Sequence, residues 1–388
     1  MFTREDTKAI KGVAVVFMLL HHLAAFPDRV PVGFEGFSSI WRGFVDHGYL
    51  IKLAGGGKIC VSIFFFLGGY GLYKRWESGK FRLSNSIFLL YKQYWKVFII
   101  FVPIAFLFFA RTGDGINSLA TRYVISSKRD FVTALISNFL GYTGSFNSEW
   151  GFFRQYLYVL PLGYLMLMAI KDDHNFLKDM FIVIVINIFM CNVFPNLPNT
   201  VVFSGIRSNI FFSTLFLNTG FASCFFEGII FAKYDALVSL KKQAKCDILK
   251  NTVLERILCI LGIAVVFWCR MYIVGGESAD LIYTPFLIAL ISNFLDSFRI
   301  VNKIFLYLGK HSTNIWYIHS FYCYYFLEVT KIVYCTRSVW IDLLILIIMS
   351  LASSIFLEFI YKRLKIFGSR YKKDKTALIP AAQGSDGE

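Results

Sequence analysis

Charge is scarce in this chain. Only 17% of its 388 residues are Asp, Glu, Lys or Arg, whereas soluble globular domains carry about a quarter. Acidic residues are the rarer kind, 25 against 40 Lys and Arg. The eight cysteines form no C-x-x-C pair and show no metal-ligand spacing with histidine, so they read as core or lipid-phase thiols with neither a disulfide framework nor a metal site. The first apolar run, 12–26, contains two histidines and no small-residue cleavage site, and is expected to stay as a helix instead of leaving as a signal peptide. No internal repeat of the kind that builds inverted-repeat transporters is visible.

What is abundant is apolar and aromatic surface. The chain is 56% hydrophobic and 18% aromatic, with 43 Phe, and its mean hydropathy is +0.58. This composition describes a polytopic membrane protein whose first partner is the lipid bilayer. The formal net charge of +15 does not indicate nucleic acid, because the basic residues are spread through short loops and a tail without a binding motif.

Runs long enough to cross about 30 Å of hydrocarbon are expected at 11–27, 49–73, 86–110, 150–170, 178–196, 208–232, 252–273, 280–296, 304–327 and 338–361. The fold expected is all-α, about ten transmembrane helices around a central polar cavity. A membrane domain over 1–365 is followed by a disordered tail over 366–388, rich in Lys, Asp, Gly and Ala. Lys and Arg concentrate in the segments that share a side with the N-terminus, which places both termini in the cytoplasm of a plasma-membrane protein. A short interfacial helix is expected at 131–140 within the long segment 111–149 on the opposite side.

Lys11 and His22 are eleven residues apart in an otherwise apolar run, almost three whole helical turns. At about 100° per residue their side chains return to within roughly 20° of each other, separated by about 16 Å along the axis. His21 falls roughly 80° off that stripe, so His22 is the histidine expected to face the interior with Lys11. A cation and an imidazole inside a membrane helix are costly unless they serve a function. For His22 the readings are a general base, since imidazole titrates in the useful range, or a hydrogen bond that holds a neighbouring helix. For Lys11 they are an anion contact or a snorkelling flank.

Four segments, in order, resemble the acyltransferase-3 family of integral membrane acyltransferases. Lys11-x10-His22 is similar to its Arg-x10-His motif, with Lys for Arg. Phe64-Phe65-Phe66-Leu67-Gly68-Gly69-Tyr70 is similar to its FFxLSGY segment, with Gly68 where Ser is usual. Trp150-Gly-Phe-Phe resembles the aromatic start of a middle helix, and Leu308-Gly309-Lys310-His311-Ser312-Thr313-Asn314-Ile315-Trp316-Tyr317-Ile318-His319 resembles its LGxxSxxIYxxH segment. Where that family has an Arg-x-x-Arg pair, this chain has Lys92 and Lys96 at a different interval. Lysine keeps the charge there but lacks the planar fork that suits phosphate.

The resemblance implies an acyl-CoA-dependent O-acyltransferase acting on a carbohydrate. An acyl group, by default acetyl, moves from cytoplasmic acyl-CoA to a hydroxyl of an extracytoplasmic or lipid-linked glycan, with acyl-CoA a co-substrate and no bound cofactor or metal. His22 is then the catalytic base or a transient acyl carrier, and Lys11, Lys92 and Lys96 hold the anionic donor. His319, Trp150, Arg154, Tyr70 and Gly69 bind the acceptor or support the site. His319 has three readings: it orients His22, binds the acceptor, or satisfies a buried carbonyl. Trp150 doubles as an interfacial anchor, and the glycines double as helix-packing positions. The competing class is a polysaccharide or small-molecule exporter using the same polar residues. Oligomeric state is open, a homo-oligomer included.

Overall fold

Thr3 starts the first helix by a reciprocal cap: its Oγ1 accepts from the Asp6 amide at 3.1 Å, and the Asp6 carboxylate accepts from the Thr3 amide at 2.7 Å. From this cap α1 runs over Arg4–Ala24. The computed structural model describes residues 2–31, 48–109, 128–170, 174–200, 221–243, 252–273 and 276–377. All regular elements among them are helical.

The chain continues as α2 (Tyr49–Gly56), α3 (Ile59–Glu77), α4 (Leu83–Ile104), α5 (Lys128–Phe139), α6 (Gly151–Ala169), α7 (Phe176–Ile188), α8 (Ala222–Lys233), α9 (Ala236–Gln243), α10 (Thr252–Tyr272), α11 (Asp280–Ser297), α12 (Arg299–Lys310), α13 (Ser312–Ser320), α14 (Leu327–Val333) and α15 (Val339–Ala377). Among the described residues, five helical stretches are long and apolar enough to cross a membrane: 4–24, 49–77, 83–107, 176–197 and 339–364. This is an all-α polytopic membrane protein.

Two expected spans are broken. The second divides at Gly57 and Lys58 into α2 and α3, because Gly57 passes against the Phe17 backbone of α1 where a Cβ would crowd the carbonyl. The expected span 304–327 divides at His311 into α12 and α13, then runs into a π-turn over Phe321–Tyr325. The short helix expected at 131–140 is α5. α15 continues through 366–377 to Ala377, and residues 378–388 lie outside the described residues, as does the start of the expected span 208–232.

Glycine pairs fix the two closest helix crossings. α1 meets α12 where Gly12 lies on the Phe305 carbonyl and Gly309 on the Lys8 carbonyl. α3 meets α8 in the same reciprocal way, Gly69 on the Phe225 carbonyl and Gly228 on the Phe66 carbonyl. A side chain at any of these four positions would strike backbone, so the small residues set the approach, as they do wherever helices lack a hydrophobic drive to associate in lipid. The first crossing has a functional consequence. It brings α13, which continues from α12, alongside the upper half of α1 and sets His319 against His22.

A buried ion pair ties the other side together. Arg270 of α10 grips Asp280 of α11 through Nε at 2.6 Å and Nη2 at 3.1 Å, Ser62 of α3 donates to the same carboxylate at 2.6 Å, and Arg270 also donates to the Gly56 carbonyl at 3.2 Å. This bidentate geometry satisfies charges that would otherwise be expensive in a low-dielectric interior.

Candidate functional site

The 3-10 turn Ser148–Trp150 is fastened to α13 and the π-turn by side chains of unlike types. Asn147 Nδ2 donates to Ser320 Oγ at 2.6 Å, the Ser148 amide donates to Tyr325 Oη at 2.9 Å, and Trp150 Nε1 donates to the Tyr317 carbonyl at 3.1 Å. Asn138 anchors the preceding loop by accepting from the Phe146 amide at 2.9 Å. The Tyr94 hydroxyl of α4 in turn donates to the Asn138 carbonyl at 2.6 Å. These bonds leave Glu149 projecting at His22.

Glu149 Oε2 lies 3.4 Å from His22 Nε2, and Oε1 accepts from the Tyr324 hydroxyl and sits 3.5 Å from Arg29 Nη1. Tyr324 belongs to the π-turn, whose extra residue per turn re-aims side chains. Arg29 is sandwiched at 3.9 Å over Phe26 and 4.8 Å over Tyr324. Burial on its own would push the Glu149 carboxyl upward. His22, the Tyr324 hydroxyl, His319 and Arg29 outweigh it and pull the carboxyl down to about 2, so Glu149 is an anion at every physiological pH.

A carboxylate near Nε2 favours the tautomer of a neutral His22 with its proton on Nε2 and its lone pair on Nδ1. His22 Nδ1 is buried and has no hydrogen-bond partner among the described residues. His319 packs on the same ring, centroids 4.7 Å apart, and donates through Nδ1 to the Trp316 carbonyl at 2.7 Å. His319 therefore does satisfy a buried carbonyl, and doing so leaves its Nε2 as a lone pair without a partner among the described residues. His21 donates to the Ala54 carbonyl at 3.0 Å and, like His22, lines the larger chamber.

Among the described residues the expected central polar cavity divides into at least two chambers. One, of about 600 Å³, is lined by His21, His22, Arg29, Lys58, Ser148, Glu149 and Gln155, among others; the second, of about 230 Å³, is lined by Lys11, Arg75, Ser86, Gln93 and Tyr156, among others. Lys11 and His22 thus open into different chambers along one helix. Phe152 and Trp316 line both chambers.

The remaining expected site residues divide. Lys92 is exposed, and Lys96 bonds the Gln93 side chain at 3.2 Å and lies 5.7 Å over the Tyr361 ring. Neither lines the Lys11 chamber; the cation that joins Lys11 there is Arg75. Gly69 is a helix-crossing position, and Tyr70 packs edge-on to Phe2 at 5.2 Å. Trp150 is 2% exposed and packed on Tyr94, Phe98 and Phe321, so it is a core residue holding the Glu149 turn and not an interfacial anchor. Arg154 donates to the Tyr142 carbonyl at 3.2 Å, away from both chambers. Gly68 stands against the Tyr156 hydroxyl, which would have to shift to admit a larger side chain there. Glu227 of α8 is 1% exposed, with Oε2 unpartnered among the described residues.

Sequence reasoning missed Glu149, Tyr324, Arg29 and Arg75. Glu149 carried one readable signal, an acidic residue next to Trp150 in a chain poor in acids. Among the described residues no group of three His, Cys, Asp or Glu side chains is placed to hold a metal.

No curated protein and no solved structure matches this chain. The sequence model of the family described as Acyltransferase domain matches residues 6–359, which takes in α1 with Lys11 and His22, the Glu149 turn, and α13 with His319. Nearly the whole chain is therefore accounted for, and the protein belongs to the acyltransferase-3 family of membrane acyltransferases.

Proposed function

We propose that the protein transfers an acyl group, acetyl by default, from cytoplasmic acyl-CoA to a hydroxyl of an extracytoplasmic or lipid-linked glycan. The observation that carries this reading is His22: it lines the larger chamber with Glu149 3.4 Å from its Nε2, and its buried Nδ1 has no partner among the described residues. The Lys11 chamber supplies two cations, Lys11 and Arg75, suited to the phosphates of the donor. The His22 chamber is wide and lined by amide, hydroxyl and charged groups, suited to a polyhydroxylated acceptor. The bias of Lys and Arg toward the side of the N-terminus supports a donor chamber on the cytoplasmic side.

The acceptor hydroxyl gives its proton to the His22 imidazole as its oxygen attacks the thioester carbonyl carbon. The new C–O bond forms, the C–S bond breaks, and the coenzyme A thiolate leaves with the proton that His22 returns. Glu149 faces the imidazolium formed in between and stabilises it. General-base assistance of this kind is worth about 10²- to 10⁴-fold. The wall between the chambers favours an enzyme over an exporter, whose glycan cargo would need a far wider passage.

Mass spectrometry of surface glycans from cells with and without the gene tests this directly. An acetyl increment that disappears with the gene is the expected result. Glycan export that depends on the gene with no change in acylation would overturn the reading in favour of transport.

A further inference from the structure

The two chambers share only aromatic wall. Phe152 of α6 and Trp316 of α13 pack ring to ring at 4.3 Å with a 36° tilt, and both border both cavities. Phe64 closes the same wall, edge-on to Trp316 at 4.9 Å and to Phe152 at 6.1 Å, and Phe65 packs edge-on to Phe152 at 5.2 Å. Lys11 is on one side of this wall and His22 on the other, about 16 Å apart along α1. A donor held at Lys11 and Arg75 must therefore send its thioester through this aromatic contact to reach His22.

Trp316 carries two further marks of a working position. It is 5% exposed, yet its indole N–H has no acceptor among the described residues. A buried donor without a partner is rare and calls for a reason; a carbonyl of the passing donor arm would supply the missing acceptor. Its backbone carbonyl is the acceptor for His319 Nδ1 at 2.7 Å, and His319 lies on the His22 ring. The wall and the base are thus joined through one residue.

We propose that Phe152 and Trp316 form an acyl-selecting partition: the gap that these two rings can open sets the size of acyl group that reaches His22. This rests on the acyl-CoA reading given above. Closely packed rings braced by Phe64 and Phe65 yield little without disturbing their neighbours, so the shortest acyl groups pass with the smallest displacement. The partition, and not the roomy acceptor chamber, then fixes donor chain length.

The test uses membrane vesicles carrying the full chain, incubated with radiolabelled acetyl-, butyryl- or octanoyl-CoA, with label counted in the carbohydrate fraction against vesicles lacking the protein. The wild type is expected to transfer acetyl roughly tenfold or more better than octanoyl. Trp316→Ala and Phe152→Ala are each expected to bring that ratio down to about threefold or less by raising octanoyl transfer, while Trp316→Phe keeps the wild-type ratio. If either alanine variant does not accumulate in the membrane, Trp316→Leu and Phe152→Leu carry the same comparison. An unchanged ratio in the variants, a ratio that narrows only because acetyl transfer is lost, or a wild type indifferent to chain length overturns the partition. A wild type that transfers none of the three overturns the acyl-CoA reading itself.

Discussion

His22 Nε2 faces Glu149 Oε2 at 3.4 Å, and this contact bears on which nitrogen of the imidazole carries the proton. A carboxylate there favours the proton at Nε2, which leaves the lone pair on the buried Nδ1. Substituting Glu149 with Gln removes the charge while keeping the shape. Transfer is expected to fall by about 10- to 100-fold, a loss typical of groups that orient a functional imidazole, and to fall chiefly in kcat rather than in KM for acyl-CoA. A loss confined to KM would assign Glu149 to substrate binding instead.

Glu149 also makes a statement about stability and pH. Its carboxyl ordinarily titrates near 4.5 and in the folded protein is pulled down to about 2. A depressed carboxyl stabilises the fold above the unfolded value, and that contribution is lost as pH falls through the folded one. The wild type is therefore expected to lose melting temperature between about pH 5 and pH 2 more steeply than Glu149→Gln. Parallel melting curves for the two proteins across that window would show that the ion cluster contributes nothing to the fold.

Lys11 and Arg75 meet in the smaller chamber, far from the base. Alanine at either position is expected to raise KM for acetyl-CoA by roughly ten- to a hundredfold, the loss of one charge-assisted contact, with kcat little changed. Lys92→Ala, at an exposed position outside the chamber, is expected to change neither by more than about twofold. Equal effects at Lys92 and Arg75 would place the donor on the surface of α4.

How much of this was legible beforehand depends on distance along the chain. Lys11 and His22 were readable as a pair because helical periodicity alone puts them on one stripe, and of the α3 glycines Gly69 sits at the α3–α8 crossing as a packing reading requires, while Gly71 meets nothing within 4 Å. Glu149 was not readable as the partner of His22: nothing local links a loop acid to a residue on the first helix, and the contact exists only because Asn147, Ser148 and Trp150 are fastened to α13 and the π-turn. Arg75 was counted only as a basic flank, since charge position along a sequence does not say which way a helix end faces. Lys92 and Lys96 were chosen by a charge spacing, and the rotation of α4 turns them from the chamber that Gln93 of the same helix enters. Of the two broken spans, the second carries its break in the sequence, in the run Gly55-Gly56-Gly57-Lys58, whereas hydropathy does not show the break at His311, just past the Gly309 approach to α1.

The glycine crossings give a stability prediction with an internal control. At Gly309 a Cβ would strike the Lys8 carbonyl, whereas at Gly71 it would meet nothing within 4 Å. Gly309→Ala is expected to destabilise by about 1–3 kcal/mol through overpacking, and Gly71→Ala to be neutral or stabilising by about 0.5–1 kcal/mol from helix propensity. Thermal melts in detergent check both, and equal melting temperatures would mean that α1 and α12 do not meet as described.

The most direct measurement is acetyl transfer by His22→Ala in membranes, alongside its accumulation and melting temperature. The expected result is a loss of about 10²- to 10⁴-fold in acetyl-CoA-dependent transfer from a protein that accumulates and melts as the wild type does. A His22→Ala protein that is equally folded and still transfers acetyl at the wild-type rate would contradict the assignment of the base.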